Sequence, residues 1–323
     1  MNVIFGSGLI GLLAKEILGD SWDIVPFYKS RFFTHNPSLD DNFIIYDDEI
    51  DDIIKQLSDY SNSIPIIGRP RTFDYKISWS SQGSIIRKYD KNICEDWLYK
   101  IFGDKSSGQS EPYMRNRMDL KVYDIRCNSL YSQLLDKHYD HIKQQHVLGQ
   151  VTSIGKNNFV RNGRTYEFDK AINTIPLDAL FKLMKIDYNY EYKPIHYLHI
   201  ATDQLNFEGS NQLLVADNDL SFFRVTNIAK DRYLFYFHRQ ENFGLYLMSI
   251  IPGSFEILDG TVITDAIPLG FTPNLVNIEN DVNIFSVGSY AQHDWCMDVG
   301  SCILRLIRYA NRGNQPTKLK TVS

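Results

Sequence analysis

The sequence predicts an α/β protein that combines a parallel sheet, flanked by helices, with an antiparallel sheet. Three observations lead to this prediction. The chain opens with a short apolar run, a glycine-rich turn and a stretch of helical apolar spacing. Between residues 185 and 265, five apolar runs follow one another at the short spacing of antiparallel strands: PIHYLHIAT, NQLLVA, LSFFRVTNIA, RYLFYFHRQ and LYLMSIIPG. Near residue 282 another apolar run precedes a helical pattern, so strand and helix alternate again.

The opening stretch MNVIFGSGLIGLLAKEIL has a GxGxxG pattern between a predicted strand at 2–5 and a helix from Leu9. Gly6 permits the turn, Gly8 allows a diphosphate to approach the backbone, and Gly11 allows close packing of helix on strand. The helix N-terminus presents N–H groups and the positive end of a dipole. A strand at 23–27 completes a βαβ unit. We therefore predict a Rossmann-type dinucleotide site, with a purely structural turn as the alternative, at Gly6, Ser7, Gly8, Leu9, Ile10 and Gly11.

The residue after the second predicted strand is Tyr28, where dinucleotide-binding domains usually carry a carboxylate. A tyrosine hydroxyl can bond a ribose hydroxyl, but only at one point. We assign Tyr28 and the following Lys29 to the cofactor site. The missing carboxylate keeps open an NAD(P)-binding or non-catalytic Rossmann protein.

The stretch VNIFSVGSYAQHDWCMDVGSCILRLIRYA reads as a strand at 282–287, a loop and an amphipathic helix. Together with the opening GxGLxG, it resembles the FAD-dependent amine oxidase, protoporphyrinogen oxidase and UDP-galactopyranose mutase group. The resemblance implies that the last helix directs its N-terminus at a flavin. The matching cofactor positions here are Gly288, Met297 and Asp298.

Two further segments resemble the same group. In YEFDKAINTIPLDAL, Thr174 and Pro176 match a strand that ends in T-x-P before the substrate domain. HVLGQVTSIGKNNFVRNGRTYEF resembles the hairpin whose backbone holds the adenine, with Val151 as the expected contact. An ordinary strand and turn is the alternative for each segment alone. Their order along the chain implies bound FAD, and the absence of a CxxxH-like attachment signal favours non-covalent binding.

The resemblance also implies two interwoven domains. The Rossmann-type FAD-binding domain would be discontinuous and comprise residues 1–60, 117–184 and 280–312. The antiparallel-sheet substrate domain would comprise residues 61–116 and 185–279, with a candidate helix in ICEDWLYKIFG, and residues 313–323 would be a tail.

Candidate substrate residues come from two stretches. SFFRVTNI resembles the Y-T-R-I-x-E stretch of UDP-galactopyranose mutases, which implies a position near substrate and flavin for Arg224. A guanidinium suits a carboxylate or phosphate, whereas a surface salt bridge is the alternative. In SYAQHDW, Tyr290 and Trp295 are expected to wall an aromatic pocket. His293 is the candidate proton carrier, with a simply exposed loop histidine as the alternative.

Composition narrows the function classes. The formal charge is −5 and the pI about 5.9, which argues against a broad basic nucleic-acid surface. No apolar run approaches the ~20 residues of a membrane helix, and no signal-peptide pattern opens the chain, so we expect no membrane association and an intracellular protein. Four cysteines without a CxxC pair and eight scattered histidines predict no metal site.

Two enzyme functions fit these observations. The preferred one is an FAD-dependent oxidoreductase acting through flavin N5 on a C–N or C–H bond of a small amine-like or nucleotide-linked substrate. A modified nucleic-acid base is a less favoured substrate because of the acidic charge. The alternative is a mutase like UDP-galactopyranose mutase, in which N5 attacks a sugar carbon without net redox change. Asn227, where the mutases carry a glutamate, counts against this alternative.

Overall fold

The computed structural model describes residues 1–27, 43–45, 72–106, 119–187, 191–239, 242–269, 283–288, 291 and 299–311. Within these ranges the chain forms a four-stranded sheet, a nine-stranded sheet and a small three-stranded sheet. Helices pack against the two larger sheets. The predicted mixed α/β class, with parallel and antiparallel sheets, is therefore confirmed.

Strands and helices are numbered separately, in chain order. The strands are β1 (Asn2–Phe5), β2 (Trp22–Val25), β3 (Phe43–Ile45), β4 (Thr72–Ser81), β5 (Ser84–Ile86), β6 (Asp119–Arg126), β7 (Val151–Ile154), β8 (Asn158–Arg161), β9 (Arg164–Glu167), β10 (Lys170–Asn173), β11 (Glu191–Ala201), β12 (Gln212–Val215), β13 (Phe222–Ala229), β14 (Arg232–Phe237), β15 (Glu256–Leu269) and β16 (Ile284–Ser286). The helices are α1 (Leu9–Leu18), α2 (Lys91–Phe102), α3 (Cys127–Val147), α4 (Leu177–Met184), α5 (Phe243–Ile250) and α6 (Val299–Asn311).

The four-stranded sheet is parallel and has the order β16-β10-β1-β2. Its strands are buried on both faces, which explains their nearly continuous apolar sequences. On one face, α1, α3 and α6 meet in a cluster that includes Leu12, Leu134 and Leu306. On the other face, α4 and the sheet β7-β8-β9 contribute Leu180 and Phe159 to a second cluster. The predicted βαβ unit at the start of the chain is confirmed.

A buried carboxylate fastens α1 to α3. The side chain of Glu16 is 5% exposed and lies 2.5 Å from His138 Nε2 and 2.7 Å from Lys137 Nζ. Burial alone would raise the pKa of Glu16, but the hydrogen bonds from His138 and Lys137 outweigh it, so the pKa is lowered. The helix that begins with the glycine loop is thereby held against its neighbour.

The nine-stranded sheet has the order β15-β11-β14-β13-β12-β4-β6-β3, with β5 paired to β4. Its neighbours run antiparallel except β12 and β4, which are parallel. Helix α2 covers one face and α5 covers the other. Strands β3 and β6 fall within the segments predicted for the cofactor domain but pair in this sheet, so the chain is interwoven at the level of strand pairing. The division into domains stays a prediction.

Most predicted elements of this region are confirmed. Strand β11 covers most of PIHYLHIAT and begins earlier, at Glu191, and β12, β13 and β14 lie within NQLLVA, LSFFRVTNIA and RYLFYFHRQ. The helix predicted in ICEDWLYKIFG is α2, and the Asp90 carboxylate caps it by accepting from the backbone N–H groups of Asn92 and Ile93. None of the helices in the described ranges has the length and apolar character that a bilayer crossing demands.

The strand predicted in LYLMSIIPG is wrong, because this stretch forms α5 and the turn after it. The Asn242 side chain accepts from the backbone N–H of Leu245 and so starts a helix. The inward residues Phe243, Leu247 and Ile250 have helical spacing. Because the exposed residues between them are also apolar, the run lacks the amphipathic pattern of a surface helix.

Candidate functional site

Two glycines of the opening loop are required by packing. Gly6 has a φ of +108°, and a Cβ there would lie 2.4 Å from Thr174 Oγ1. A Cβ on Gly11 would lie 2.3 Å from the Gly6 carbonyl oxygen. Both distances are shorter than real Cβ contacts, so a larger residue at either position would displace the loop. The roles predicted for these two glycines, a tight turn and close helix packing, have a direct structural basis.

Gly8 differs from these two glycines. Its φ is −70°, and no heavy atom of the described residues lies within 4 Å of a Cβ built there. Gly8 is the N-cap of α1, where no described side chain caps the helix and no acidic residue occupies the first turn. Because the first N–H groups of a helix lack partners within the helix, this open space suits a phosphate group. The residues present therefore fit the diphosphate of a dinucleotide cofactor.

The carboxyl ends of the parallel strands are held together at the same edge. The backbone N–H and the hydroxyl of Thr174 both donate to the Phe5 carbonyl at 2.9 Å. The N–H of Gly6 donates to the Val25 carbonyl at 2.9 Å. The loop, the end of β2 and the start of the T-x-P turn therefore lie side by side. Ligands of open α/β sheets bind at this edge.

Asn173 completes this edge and was not predicted from the sequence. It is fully buried, and its amide nitrogen donates to the Ile175 carbonyl at 3.2 Å and to Ser286 Oγ at 3.3 Å. Its amide oxygen accepts from the N–H of Ile175 at 3.2 Å, and its carbonyl accepts from the N–H of Val287 at 2.9 Å. The one sequence signal was a polar residue at the end of an apolar strand. Asn173 fixes the T-x-P turn relative to the last strand.

Gly288 follows that last strand and has a φ of +122°. A Cβ there would lie 3.9 Å from Ile10 Cγ1, in the first turn of α1. The structure therefore brings together these predicted cofactor residues: Gly6, Ser7, Gly8, Leu9, Ile10, Gly11, Thr174, Pro176 and Gly288. Val151 lies in the small sheet instead and packs in one cluster with Leu177 of α4, which begins directly after Pro176.

Seven predicted residues lie outside the described part of the chain and stay predictions. They are Tyr28, Lys29, Tyr290, His293, Trp295, Met297 and Asp298. Within the described ranges, no group of three or more His, Cys, Asp or Glu side chains has the arrangement of a metal site.

Arg224 lies on the face of the nine-stranded sheet that α2 partly covers. Its guanidinium carbon is 3.6 Å from the centre of the Tyr236 ring, on the neighbouring strand β14. The Arg224 side chain is half-buried, and on its other side the cross-strand neighbour is Leu214. The guanidinium thus lies over the face of an aromatic ring, and arginine favours this arrangement more than lysine does.

Two basic side chains at this end of the sheet, Lys100 and His238, have lowered pKa values. Lys100 Nζ donates to the carbonyls of Val215, Asp217 and Phe222 at 2.6–3.1 Å. Burial lowers the pKa of Lys100 to about 7, against the opposing effect of Asp217. Burial, followed by the charges of nearby Lys193, Lys100 and Arg239, lowers the pKa of His238 to about 4. The three bonds of Lys100 attach α2 to the sheet, and sequence reasoning identified neither Lys100 nor His238.

No protein-family model and no curated protein matches this sequence. Solved structures match it over nearly the whole chain. A reduced UDP-galactopyranose mutase has a TM-score of 0.66 at 12% identity and covers 96% of this chain and 94% of its own. A putative protoporphyrinogen oxidase from Exiguobacterium sp. 255-15 has a TM-score of 0.56 at 11% identity, with coverage of 96% and 98%. Cyclohexylamine oxidase from Brevibacterium oxydans IH-35A has a TM-score of 0.60 at 10% identity, with the same coverage. The resemblance stated from the sequence is confirmed for the fold.

Proposed function

We propose that this chain, which has the fold of these enzymes, is an FAD-dependent oxidoreductase. The open space at Gly8 carries the proposal, because it lies at a helix N-terminus that no described side chain caps, on the edge where the parallel strands end. An anionic ligand at this position would satisfy the free N–H groups of the first helical turn. Thr174 and Gly288 lie at the same edge, and a ligand larger than a diphosphate would extend past them.

The chain's own residues would bind FAD non-covalently along this edge. The backbone of the Gly6–Gly11 loop would hold the diphosphate, and the backbone near Val151 would hold the adenine. The segment from Gly288 to the start of α6 would lie beside the isoalloxazine ring. When bound, FAD would supply an N5 atom that accepts hydride and passes the electrons to oxygen or another acceptor.

The proposed substrate is a small amine-like or nucleotide-linked molecule that is oxidised at a C–N or C–H bond. Tyr290 and Trp295 would exclude water from it, and His293 would carry a proton. Arg224 would bind a charged group of the substrate. A modified nucleic-acid base is a less favoured substrate, and we propose an intracellular location.

A mutase like UDP-galactopyranose mutase is the second candidate. The similarity to the reduced mutase and the position of Arg224 favour it. Asn227, which stands at the glutamate of the mutase stretch, favours the oxidoreductase. An NAD(P)-binding or non-catalytic protein is the third candidate, because Tyr28 replaces the usual carboxylate.

An absorption spectrum of the purified protein, with and without added FAD, tests the proposal. We expect the two visible flavin bands, and we expect them to bleach with dithionite. Gly8→Glu should give a folded but colourless protein, since the new carboxylate would occupy the phosphate position. Gly8→Ala is the matched control, because its methyl group meets no described atom, and it should keep most of the flavin.

Three outcomes would count against parts of this proposal. Retention of flavin by Gly8→Glu would show that the cofactor site is elsewhere. A colourless wild-type protein that ignores FAD would make NAD(P) binding the leading function. A flavoprotein that interconverts a UDP-sugar but oxidises no substrate would favour the mutase.

A further inference from the structure

We infer that Tyr236 is a positioning residue that holds the Arg224 guanidinium ready to bind an anionic group of the substrate. This inference rests on the proposed function, because it assumes that the substrate meets this face of the nine-stranded sheet. It names the charge class of the substrate, a carboxylate or phosphate ester, and assigns a role to a residue that would not contact it.

The register of the sheet places the two side chains directly opposite each other. Arg224 pairs with Tyr236 across β13 and β14, and directly opposite residues project from the same face. The register shifts between Phe222 and Arg224, so this alignment depends on a local irregularity in β13. The row that crosses the sheet here consists of Trp79, Leu214, Arg224, Tyr236 and Tyr197. Arg224 is the one charged side chain in this row.

The Tyr236 ring is itself held rigidly. It is 2% exposed, and its centre lies 4.8 Å from the Tyr197 ring at an interplanar angle of 68°. The Phe223 ring lies 6.1 Å away on the other strand. The edge-to-face contact with Tyr197 and the packing of Phe223 fix the orientation of the ring. Tyr236 therefore offers Arg224 a flat surface of defined direction.

A fixed ring restricts an otherwise flexible side chain. A free arginine loses about 2 kcal/mol of rotamer entropy when it is immobilised. Stacking on Tyr236 removes part of this freedom before any ligand arrives, so less is lost on binding. A guanidinium over a ring face keeps its N–H groups at its own edge, in the plane of the group. This plane suits the two oxygens of a carboxylate or phosphate.

Calorimetric titration of FAD-saturated protein tests the inference, with benzoate as the carboxylate probe and inorganic pyrophosphate as the phosphate probe. Saturation with FAD occupies the glycine loop, which would otherwise compete for pyrophosphate. We expect at least one probe to bind and Arg224→Gln to weaken that binding more than any other variant, to a residual affinity that is still measurable at high probe concentration. Tyr236→Leu should weaken it about 3- to 30-fold, whereas Tyr236→Phe should stay within about 3-fold of wild type because it keeps the ring face.

Phe235→Leu is the matched control. Phe235 precedes Tyr236 on the same strand and is also 2% exposed, but it belongs to the cluster on the opposite face. If the control weakens binding as much as Tyr236→Leu, the effect reflects damage to the sheet and the inference is wrong. In the Arg224→Gln background, Tyr236→Leu should cause no further loss, whereas a purely structural role would predict an additional loss.

The flavin content of each variant separates this inference from the proposed function. Wild-type protein that contains flavin but binds neither probe would overturn the inference and leave the proposed function intact. Protein without flavin would overturn the proposed function. The difference in probe affinity between that flavin-free protein and its Arg224→Gln variant would then still decide whether Arg224 binds the anion.

Discussion

The Thr174 hydroxyl lies where a side chain on Gly6 would begin. A Cβ on Gly6 would be 2.4 Å from Thr174 Oγ1, and the same hydroxyl donates to the Phe5 carbonyl at 2.9 Å. The tight turn at Gly6 and the residue that follows β10 therefore pack closely against each other, although 169 residues separate Phe5 from Thr174 in the sequence. A glycine-rich loop of this kind is shaped by its neighbours as much as by its own flexibility.

This relationship predicts unequal costs for two conservative changes. Gly6→Ala should lower the free energy of unfolding by about 1–3 kcal/mol, because it adds a clash at a left-handed φ. Thr174→Val should cost only about 0.5–1.5 kcal/mol, because the N–H of residue 174 still satisfies the Phe5 carbonyl. Urea unfolding of the cofactor-free proteins measures both values. Equal stability of Gly6→Ala and wild type would contradict the packing described for the turn.

In the same urea unfolding assay, the other two glycines of the loop, Gly11 and Gly8, should differ in how much stability an alanine costs. Gly11→Ala should cost about 1–3 kcal/mol, since its Cβ would meet the Gly6 carbonyl. Gly8→Ala should cost less than about 1 kcal/mol, the scale of a lost N-cap preference. A larger loss of stability for Gly8→Ala than for Gly11→Ala would contradict the open space described at Gly8 and the close contact described at Gly11.

Asn173→Asp should weaken both the fold and cofactor binding. The change keeps an acceptor for the N–H of Ile175 but replaces the donor to the Ile175 carbonyl with a buried carboxylate oxygen. An uncompensated buried polar group costs about 1–3 kcal/mol, and a charge costs more. Fluorescence titration with FAD and urea unfolding would measure the two effects. Asn157→Asp, at an exposed position, is the control and should behave like wild type.

His238 should contribute a stability change in weak acid. Its folded pKa is about 4, below its ordinary value of 6.5, so the unfolded chain binds the proton more tightly. Stability should therefore fall as the pH drops from 6.5 towards 4, and the His238 contribution should be constant above 6.5. His238→Phe should reduce the slope of the unfolding free energy in this window. An unchanged slope would mean that other groups cause it.

Glu16 should act at lower pH. Its folded pKa lies below the ordinary value of 4.5, so its contribution is present above that value and is lost as the pH falls through the folded pKa. Glu16→Gln should therefore destabilise the protein at neutral pH and flatten the most acidic part of the stability profile. Equal pH profiles for Glu16→Gln and wild type would argue against the bonds to His138 and Lys137.

Sequence patterns predicted the parts of the fold that depend on residues close together in the sequence. The GxGxxG loop, the strand before it and the Asp90-capped helix all have short-range signals. Helix α5 was missed because it is apolar on its exposed side as well, with Leu245 and Met248 in solvent. The alternation expected of a strand and the spacing expected of a helix cannot be distinguished in such a run.

Contacts between distant residues were not accessible from the sequence. The amide of Asn173 bonds to Ser286, and Lys100 bonds to the carbonyls of Val215, Asp217 and Phe222. The position of Arg224 over the Tyr236 ring depends on a register shift between Phe222 and Arg224, and no residue type in the sequence predicts this shift. These details follow from how strands align, which a single sequence does not specify.

The parallel pairing of β12 with β4 has a consequence for how the chain folds. Residue 81 ends one strand and residue 212 begins the other, and α3, the small sheet, β10 and α4 lie between them in the sequence. The four-stranded sheet likewise joins residues 2–5 to 170–173 and then to 284–286. The pairing of strands in each sheet therefore closes long loops that contain much of the other sheet. The chain loses conformational entropy when these loops close, before the contacts that offset this loss have formed. We expect slow, strongly cooperative folding in which neither half of the chain acquires a stable structure on its own.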